Sequence, residues 1–429
     1  MNPFDRRFEF RCPIHGFIEL NGWERELVNH PVYQRLRRIR QLALTEYVYP
    51  GAVHTRFEHC LGVLHVASKL FDSVVANSAD LLRSELSLNN DGIARARQLV
   101  RLAALLHDVG HAPFSHGPED LMPDRGGKLG KFKHEDYSAS LIRKSLKAAI
   151  EDDQYNSANY HITAAEVAGL IEGSPDAGVS LVWREIVSGQ MDADRMDYLL
   201  RDSTHIGVQY GKFDINRLIN TACLLRDPDG GSHKIGVSEG GAHSAEALVL
   251  ARYFMFTQVY FHKTRIAYDL HLKDALAAIL PGKHFPSPSK LDEYLEWDDW
   301  RALGEIASRS KGNGKTAKLC RVLIERKHWR EIYHTPEIPG PKDLEKLVKV
   351  KSALGELVTA EESADRSWYK KGPSDILVHK DTERVVAPLS SLSQVINRFQ
   401  SYKQVRLYVD RSQVAKAQQL RDKALGSNK

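Results

Sequence analysis

Cysteine is scarce in this chain, which holds four cysteines among 429 residues. Cys12, Cys60, Cys223 and Cys320 lie far apart, without a CxxC pair or the spacing of a disulfide framework, and this favours a reducing compartment. The opening residues MNPFDRRFEF lack the apolar segment of a signal peptide. No uninterrupted apolar run approaches the ~18–20 residues that a bilayer span requires. We therefore expect a soluble cytoplasmic protein without a membrane partner.

Neither sign of charge is in large excess, since the formal net charge is +5. The basic excess lies at the C-terminus, where residues 341–429 contain 17 Lys and Arg against 11 Asp and Glu. A basic tail can bind nucleic acid or another polyanion. Because aromatic residues do not alternate with the basic ones as in a base-stacking platform, we interpret the tail as a solvated surface and keep nucleic acid as an alternative partner.

Apolar side chains recur at helical spacing over the first 280 residues. The composition, 42% hydrophobic and 27% charged, is that of a globular protein. Asn29 is expected to cap the first of the predicted helices, with Pro31 in its opening turn. We predict helices over residues 27–42, 57–82, 92–108, 191–204 and 240–280.

Beyond residue 281 the pattern changes. The proline-rich segments PGKHFPSPSK and HTPEIPGPKD predict loops on either side of a helical stretch at 298–329. β-Branched residues then alternate in DILVHKDTERVVAPL and QVRLYVD, which predicts strands flanking a helix at 391–401. The predicted fold is mainly α, with a helical core over residues 1–281 and a smaller helical and α+β region over 282–429.

The stretch LLHDVGHAPFSHG ends an apolar helix on His107 and Asp108 and places His111 and His116 directly after it. Imidazole and carboxylate both bind first-row divalent metals. Adjacent helical residues point about 100° apart because a helix has ~3.6 residues per turn, so the pair can share an ion only at a helix end, and Gly110 supplies that break. Two ligands leave such a site incomplete, so others must come from elsewhere in the chain.

Two other segments offer such ligands. HTRFEHCLG contributes His54, Glu58 and His59, whereas DADRMDYLLRD contributes a series of aspartates that includes Asp194. Two histidines with two aspartates would neutralise a divalent ion and leave positions open for water or phosphate oxygens, and such an ion lowers the pKa of bound water towards neutrality. Each segment alone is better explained by chance, by a core histidine or by a charged helix face than by a metal site. Their occurrence together favours a metal site.

His, His-Asp and Asp in this order resemble the HD superfamily of metal-dependent phosphohydrolases. Within it, the chain is most similar to deoxynucleoside triphosphate triphosphohydrolases (dNTPases) of the branch that includes the vertebrate SAM-and-HD-domain enzymes, here expected without the SAM domain. The resemblance extends in order over roughly residues 13–277. Its motifs are PIHGFIEL, YQRLRRIRQL, YPGAVHTRFEHCLGV, LLHDVGHAPFSHG, KHEDYS and DADRMDYLLRDSTHIGV.

The resemblance implies a divalent metal cofactor (Mn, Fe, Zn, Mg or Ni) and the reaction dNTP + water → deoxynucleoside + triphosphate. The implied ligands are His59, His107, Asp108 and Asp194. Activated water would attack the α-phosphorus, and His134, with Glu119 as its acidic partner, would protonate the departing 5′-oxygen.

The resemblance also implies substrate contacts. Those to the triphosphate would come from Arg56, His111, His116, Arg195, Tyr198 and Arg252. Gln41 and Asp202 would read the 3′-hydroxyl, while Leu42 and Tyr260 would close on the sugar too tightly for a 2′-hydroxyl. Phe261 departs from the family pattern, because an amide that helps to hold the sugar is found there in relatives.

The implied partners are dNTPs, further copies of the chain in a tetramer or larger oligomer, and a nucleotide activator. Asn29 replaces an aspartate with which some relatives read a guanine activator. Two alternatives stay open: an HD-type nuclease or phosphodiesterase, and a nucleotide-sensing or nucleic-acid-binding protein. His134 with Glu119 argues against the second, because a sensor needs no general acid.

Overall fold

The computed structural model describes residues 7–127, 130–175, 178, 181–228, 230, 232–365 and 369–426. This part of the chain is mainly helical, as predicted. Its helices are α1 (Gly22–Asn29), α2 (Pro31–Gln34), α3 (Arg56–Asn77), α4 (Ala79–Ser84), α5 (Asn90–Leu106), α6 (His134–Arg143), α7 (Lys147–Glu151), α8 (Gln154–Asn159), α9 (Ala164–Glu172), α10 (Arg184–Val187), α11 (Ala193–Ile206), α12 (Ile215–Asn220), α13 (Ala242–Met255), α14 (Lys263–Ile279), α15 (Leu291–Leu295), α16 (Asp299–Ser310), α17 (Lys315–Ile324), α18 (Pro341–Leu354), α19 (Leu389–Leu392), α20 (Gln394–Asn397) and α21 (Val414–Ala424).

Three small sheets accompany these helices. Their strands are β1 (Phe8–Cys12), β2 (Gly16–Leu20), β3 (Ala222–Arg226), β4 (His233–Ser238), β5 (Arg330–His334), β6 (Val358–Ser363), β7 (Leu377–Lys380), β8 (Val385–Pro388) and β9 (Val405–Val409). β1 and β2 form an antiparallel hairpin, whereas β9 lies between β5 and β6 and is antiparallel to both. The third sheet has the order β3-β4-β7-β8, with β4 and β7 parallel.

Helix α3 runs through the centre of the main core. It is buried on most of its circumference and packs against α5 and α11. Gly62 allows α11 to come close, because a Cβ at this position would overlap the side chains of Asp197 and Arg201. The packing brings the first turn of α3, the end of α5 and the first turn of α11 to one place, which is where the candidate site lies.

Three of the predicted helices are divided in the structure: the helix expected at 27–42 is the end of α1, α2 and a 3-10 turn at Arg35–Arg38, and the helix expected at 57–82 is divided at Ser78 into α3 and α4. Asn29 is the last residue of α1 and does not cap a helix. His30 caps α2, because its Nδ1 accepts the Val32 N–H at 3.3 Å, and Pro31 occupies the first turn as predicted. The predicted helix at 240–280 is interrupted by a π-helical turn at Phe256–Tyr260. The Phe261 N–H there donates to the Phe256 carbonyl at 2.7 Å, a wider turn that sequence periodicity does not reveal.

The predicted C-terminal strands are confirmed as β7, β8 and β9, whereas the helix expected at 391–401 is the two short helices α19 and α20. The parallel pairing of β7 with β4 places Val378 beside Val237, so the C-terminal chain joins a sheet that begins in the first 281 residues. The division at residue 281/282 stays a prediction.

The four cysteines are buried and unpaired. In the part of the chain that the structure describes, no helix is both long enough and apolar enough to cross a bilayer.

Candidate metal centre and active site

The His-Asp motif lies in the turn that follows α5. His107 and Asp108 begin a loop that runs to Gly117. Gly110 packs directly on α6, where a Cβ would overlap the Ser138 backbone. The Ser138 hydroxyl accepts the Gly110 N–H at 3.0 Å and donates to the His107 carbonyl at 2.6 Å. Glycine is therefore needed here for close approach as well as for the helix break.

Side chains distant in sequence hold the rest of this loop. Asp299, in the first turn of α16, accepts the Phe114 N–H at 2.7 Å and the Arg40 N–H at 2.8 Å. Burial raises the pKa of Asp299 to about 7, although these two donors act against the rise. Arg35 is fully buried and donates to the His111 carbonyl at 2.9 Å. The metal motif is thus fixed from several sides, which suits a preorganised site.

The structure brings together the four residues implied as metal ligands. Nε2 of His59 lies 3.0 Å from Oδ1 of Asp194 and 3.6 Å from Oδ2 of Asp108. Nε2 of His107 lies 3.4 Å from Oδ1 of Asp108 and 3.8 Å from Oδ1 of Asp194. The ligand atoms of His59, His107 and Asp108 all lie within 4.8 Å of one another.

Both histidines are held in the orientation that a metal site requires. Nδ1 of His59 donates to Asp197 at 2.8 Å, and Nδ1 of His107 donates to the Ala104 carbonyl at 2.8 Å. Each Nε2 therefore points into the cluster, and neither has a hydrogen-bond partner among the described residues. Orphaned, buried imidazole nitrogens beside two carboxylates fit a divalent cation.

Electrostatics in the ion-free chain show how strongly these groups interact. Burial would raise the pKa of Asp108, but Arg56 and His107 hold it well below its usual range. Burial would likewise lower the pKa of His59, but Asp194 and Asp197 raise it to about 10. A cation would compensate the same carboxylates, so the cluster stabilises positive charge.

Sequence reasoning assigned no role to Asp197, whose carboxylate is fully buried behind His59. Oδ1 of Asp197 accepts from Nε2 of His15 at 2.7 Å, and both of its oxygens accept from Arg201 at 2.8 and 2.9 Å. The available signal was its position one helical turn after Asp194 in DADRMD. The side chain orients His59, as carboxylates behind metal-bound histidines do.

Three imidazoles lie next to this cluster. The rings of His111 and His134 stack with centroids 3.9 Å apart, and the His116 ring is 4.9 Å from that of His111. Burial and the nearby Arg56 hold the pKa of His111 well below its usual range. The pKa of His134 is raised: burial opposes the rise, and the Glu119 carboxylate causes it.

The Glu119 carboxylate lies close to two histidines. Its Oε1 lies 2.7 Å from Nδ1 of His116 and 3.7 Å from Nδ1 of His134, so its hydrogen bond is to His116. Nε2 of His134 lies 3.9 Å from Oδ1 of Asp108. The two residues of the implied acid pair therefore lie near each other without a hydrogen bond, and Oε2 of Glu135 is closer to Nδ1 of His134, at 3.4 Å.

Arginines surround the cluster. Arg56 is buried, pairs with Asp108 and donates from Nε to the Ser115 hydroxyl at 2.7 Å. Arg195 pairs with Asp192, which caps α11. Burial lowers the pKa of Arg252. Burial also raises the pKa of Tyr198, which is opposed by the neighbouring charges of Arg252 and Arg195.

The residues implied to bind the sugar form a second group. Asp202 accepts the Tyr260 hydroxyl at 2.6 Å and lies 2.7 Å from Nε2 of His54, a contact that sequence reasoning did not assign. Gln41 donates its backbone N–H to the His54 carbonyl at 3.1 Å, and its side-chain oxygen is buried without a hydrogen-bond partner in the described chain. Leu42, next to it, is buried.

Phe261 lies apart from this group. It packs in a separate apolar cluster with Ile266, Tyr402 and Tyr408, and its ring stacks on Phe256 at 5.5 Å. The π-helical turn ends at Tyr260, so the two neighbours point into different surroundings. Phe261, which stands where relatives have an amide, therefore packs in this apolar cluster and not with the residues implied to bind the sugar.

A helical core that holds two histidines and two aspartates beside arginines is typical of one class of protein, the metal-dependent phosphohydrolases. Residues 56–202 match the HD domain family, and residues 213–363 match the HD associated region. The chain belongs to the HD superfamily of metal-dependent phosphohydrolases.

Relatives cover different shares of the chain. The uncharacterised protein YwfO of Bacillus subtilis is 32% identical over 76% of this chain and 72% of its own length. The deoxynucleoside triphosphate triphosphohydrolase SAMHD1 homolog of Dictyostelium discoideum is 31% identical over 61% of this chain, a match that spans about half (47%) of that protein. A hypothetical protein from Aquifex aeolicus has a solved structure that is 27% identical, with a TM-score of 0.76 over 97% of this chain and 100% of that one.

Proposed function

We propose that this protein is a metal-dependent dNTP triphosphohydrolase that converts dNTP and water to deoxynucleoside and inorganic triphosphate. The observation that carries the proposal is the face of α11. Asp194, Tyr198 and Asp202 follow one another at intervals of four residues and so share that face. It leads from the metal cluster to the Asp202–Tyr260 pair, with Tyr260 lying 6.2 Å from Tyr198 between ring centroids.

The metal would be held by His59, His107, Asp108 and Asp194. A divalent cation supplies Lewis-acid polarisation and an activated water when bound. The two-histidine, two-aspartate set suits several first-row ions, so Mn, Fe, Zn, Ni and Mg are all candidates. Elemental analysis of the purified protein, paired with the Asp108→Ala variant, identifies the ion.

His134 would act as the general acid. In the proposed reaction, water forms a bond to the α-phosphorus and the bond to the 5′-oxygen breaks. That oxygen takes a proton from His134, whose raised pKa keeps the proton available near neutral pH. Glu119 would orient His134 and His116 and stabilise the charged form of His134.

The arginines would hold the triphosphate. Arg56 lies against both the metal cluster and Ser115, and Arg195 directly follows Asp194 in the chain. Guanidinium groups bind phosphate oxygens in a planar, bidentate manner, so they would align the chain of phosphates and stabilise the charge that develops on it.

Product analysis tests the proposal. Each dNTP and NTP is incubated with the protein and Mn²⁺ or Mg²⁺, and the products are separated by ion-exchange chromatography. Deoxynucleoside with triphosphate supports the dNTPase reaction. Nucleoside monophosphates from a polymer would instead identify a nuclease or phosphodiesterase, and binding without turnover would identify a nucleotide sensor.

Self-association and a nucleotide activator stay predictions. The β1–β2 hairpin carries part of the motif PIHGFIEL and exposes Phe17, whose side chain would be covered by a second copy. Light scattering with and without dNTPs measures the oligomer, which we expect to be a tetramer or larger. A fully active monomer under both conditions would contradict this expectation.

A further inference from the structure

A cavity of about 420 Å³ adjoins the metal centre without being explained by it. It shares Arg195 and Arg252 with the proposed triphosphate contacts, and its lining includes three more cationic side chains, Arg184, Lys234 and Lys370. Its volume lies within the range of ligand sites in proteins.

Three separate parts of the chain build this cavity. One wall is α10 with the loop before α11, another is β4, and the third is the segment 370–376 from the C-terminal region. Gln190 fastens the third wall, since its side-chain amide donates to the carbonyls of Lys370 and Ser374 at 2.8 and 2.9 Å. Lys234 donates to the Pro373 carbonyl. The cavity is therefore a built feature of the fold.

The lining is positively charged overall. Two carboxylates, Glu185 and Asp375, face the five cations. Both accept hydrogen bonds from uncharged donors: Glu185 from the Ile235 N–H at 2.7 Å, and Asp375 from the hydroxyls of Tyr369 and Ser390. Arg195 and Lys234 are also paired with carboxylates outside the lining, Asp192 and Asp227, and Lys370 is exposed, so a bound anion would meet cations that are partly compensated and partly in contact with solvent.

We propose that this cavity binds a polyphosphate chain. The composition of the lining supports this ligand, because five cationic side chains face two carboxylates and because Arg195 and Arg252 belong both to the cavity and to the proposed triphosphate contacts. The bound polyphosphate is either inorganic triphosphate after its release or the terminal phosphates of a bound nucleotide. The placement of triphosphate rests on the proposed function, whereas the anionic ligand class rests on the cavity alone.

The test is titration calorimetry of the metal-loaded protein with sodium tripolyphosphate, a measurement that requires no hydrolysis. Lys370→Glu is the main variant, because Lys370 is exposed at the cavity rim and its replacement leaves the core intact. Lys349→Glu is the matched control, since Lys349 is exposed on α18, outside the cavity lining. We expect Lys370→Glu to weaken tripolyphosphate binding about 5–20-fold and Lys349→Glu to change it less than twofold.

Lys234→Gln gives a second measurement from the opposite wall, and its thermal unfolding is compared with that of the unaltered protein. Equal tripolyphosphate affinity in Lys370→Glu, Lys349→Glu and a folded Lys234→Gln would overturn the proposal.

Steady-state kinetics with a dNTP distinguish the two sources of the bound polyphosphate. A parallel rise of KM and of the tripolyphosphate inhibition constant in Lys370→Glu places the substrate's own phosphates there, and a rise of the inhibition constant alone places the released product there. Weakened tripolyphosphate binding in a protein that hydrolyses no dNTP would support the cavity while refuting the dNTPase assignment.

Discussion

The metal side and the sugar side of the candidate site lie on the same face of α11, yet their central polar groups differ. On the metal side, Nε2 of His59 and of His107 are buried without hydrogen-bond partners among the described residues. On the sugar side, the central Asp202 carboxylate contacts both His54 and Tyr260, and in the described chain unmet bonding capacity is found only at its margin, on the Gln41 side-chain oxygen and Nδ1 of His54.

This difference has energetic consequences. A buried polar atom without a partner costs roughly 1–3 kcal/mol, so a cation on the metal side relieves an existing penalty. A hydroxyl on the sugar side must exchange one hydrogen bond for another, which has a small net gain. We therefore expect large losses from changes on the metal side, and modest changes, mainly in selectivity, from those on the sugar side.

The largest effect is expected from Asp108→Ala. This variant removes an implied metal ligand and leaves Arg56 buried without its carboxylate partner. We expect loss of bound metal and of hydrolysis, with a loss of folding stability of about 3–5 kcal/mol. Metal content, turnover and thermal unfolding measure the three effects. Asp72→Ala, on the exposed side of α3, is the control, and wild-type turnover by Asp108→Ala with a full complement of metal would contradict the assignment.

His134→Ala should impair the chemical step more than substrate binding. Removal of a general acid lowers kcat about 10²–10⁴-fold, while KM changes little. Steady-state kinetics with each dNTP measure both constants, and His243→Ala, which alters a side chain that is 97% exposed, is the control. An unchanged kcat at saturating dNTP would remove His134 from the mechanism.

Asp197→Asn tests whether the orientation of a ligand matters separately from the ligand itself. The variant keeps the shape of the side chain but weakens its bonds to His59 and Arg201. Loss of such a supporting carboxylate typically lowers metal affinity about 10–100-fold. Competition with a chelator gives the affinity, and excess metal should restore part of the activity. Wild-type metal affinity in a correctly folded variant would show that Asp197 only packs the core.

The smallest effect is expected on the sugar side, as selectivity for dNTP over NTP. A 2′-hydroxyl buried against Leu42 and Tyr260 without a partner costs about 1–3 kcal/mol. With an added steric clash, this corresponds to a preference of about tenfold or more in kcat/KM.

Variants of this group sharpen the test. Tyr260→Ala should narrow the preference by opening space, whereas Asp202→Ala should weaken dNTP and NTP alike, since both carry the 3′-hydroxyl. Comparison of dATP with ATP and of dGTP with GTP measures the ratio. Equal efficiencies would refute the sugar assignment and leave the metal side untouched.

Local patterns predicted the elements that carry the site. The apolar spacing before His107 predicted α5, and DADRMDYLLRD predicted α11, because helical periodicity is written in consecutive residues. Helical periodicity did not reveal the π-helical turn at Phe256–Tyr260, because its hydrogen bonds span only one residue more than those of an α-helix. This turn places the side chains of Tyr260 and Phe261 in different surroundings. The local patterns also missed the six strands β1–β6, whose pairing depends on distant partners.

The resemblance to the HD superfamily predicted that His59, His107, Asp108 and Asp194 share one site, and the structure brings these four side chains together, while their binding of a metal stays a prediction. The sequence could not show that Asp197 and the Ala104 carbonyl turn both imidazoles inward, that Asp299 and Arg35 hold the loop, or that the segment 370–376 closes a cationic cavity beside Arg195. Except for the bond between His107 and Ala104, which lie three residues apart, these contacts join parts of the chain separated by 76 to 185 residues, and only tertiary packing and the pairing of β4 with β7 bring them within bonding distance.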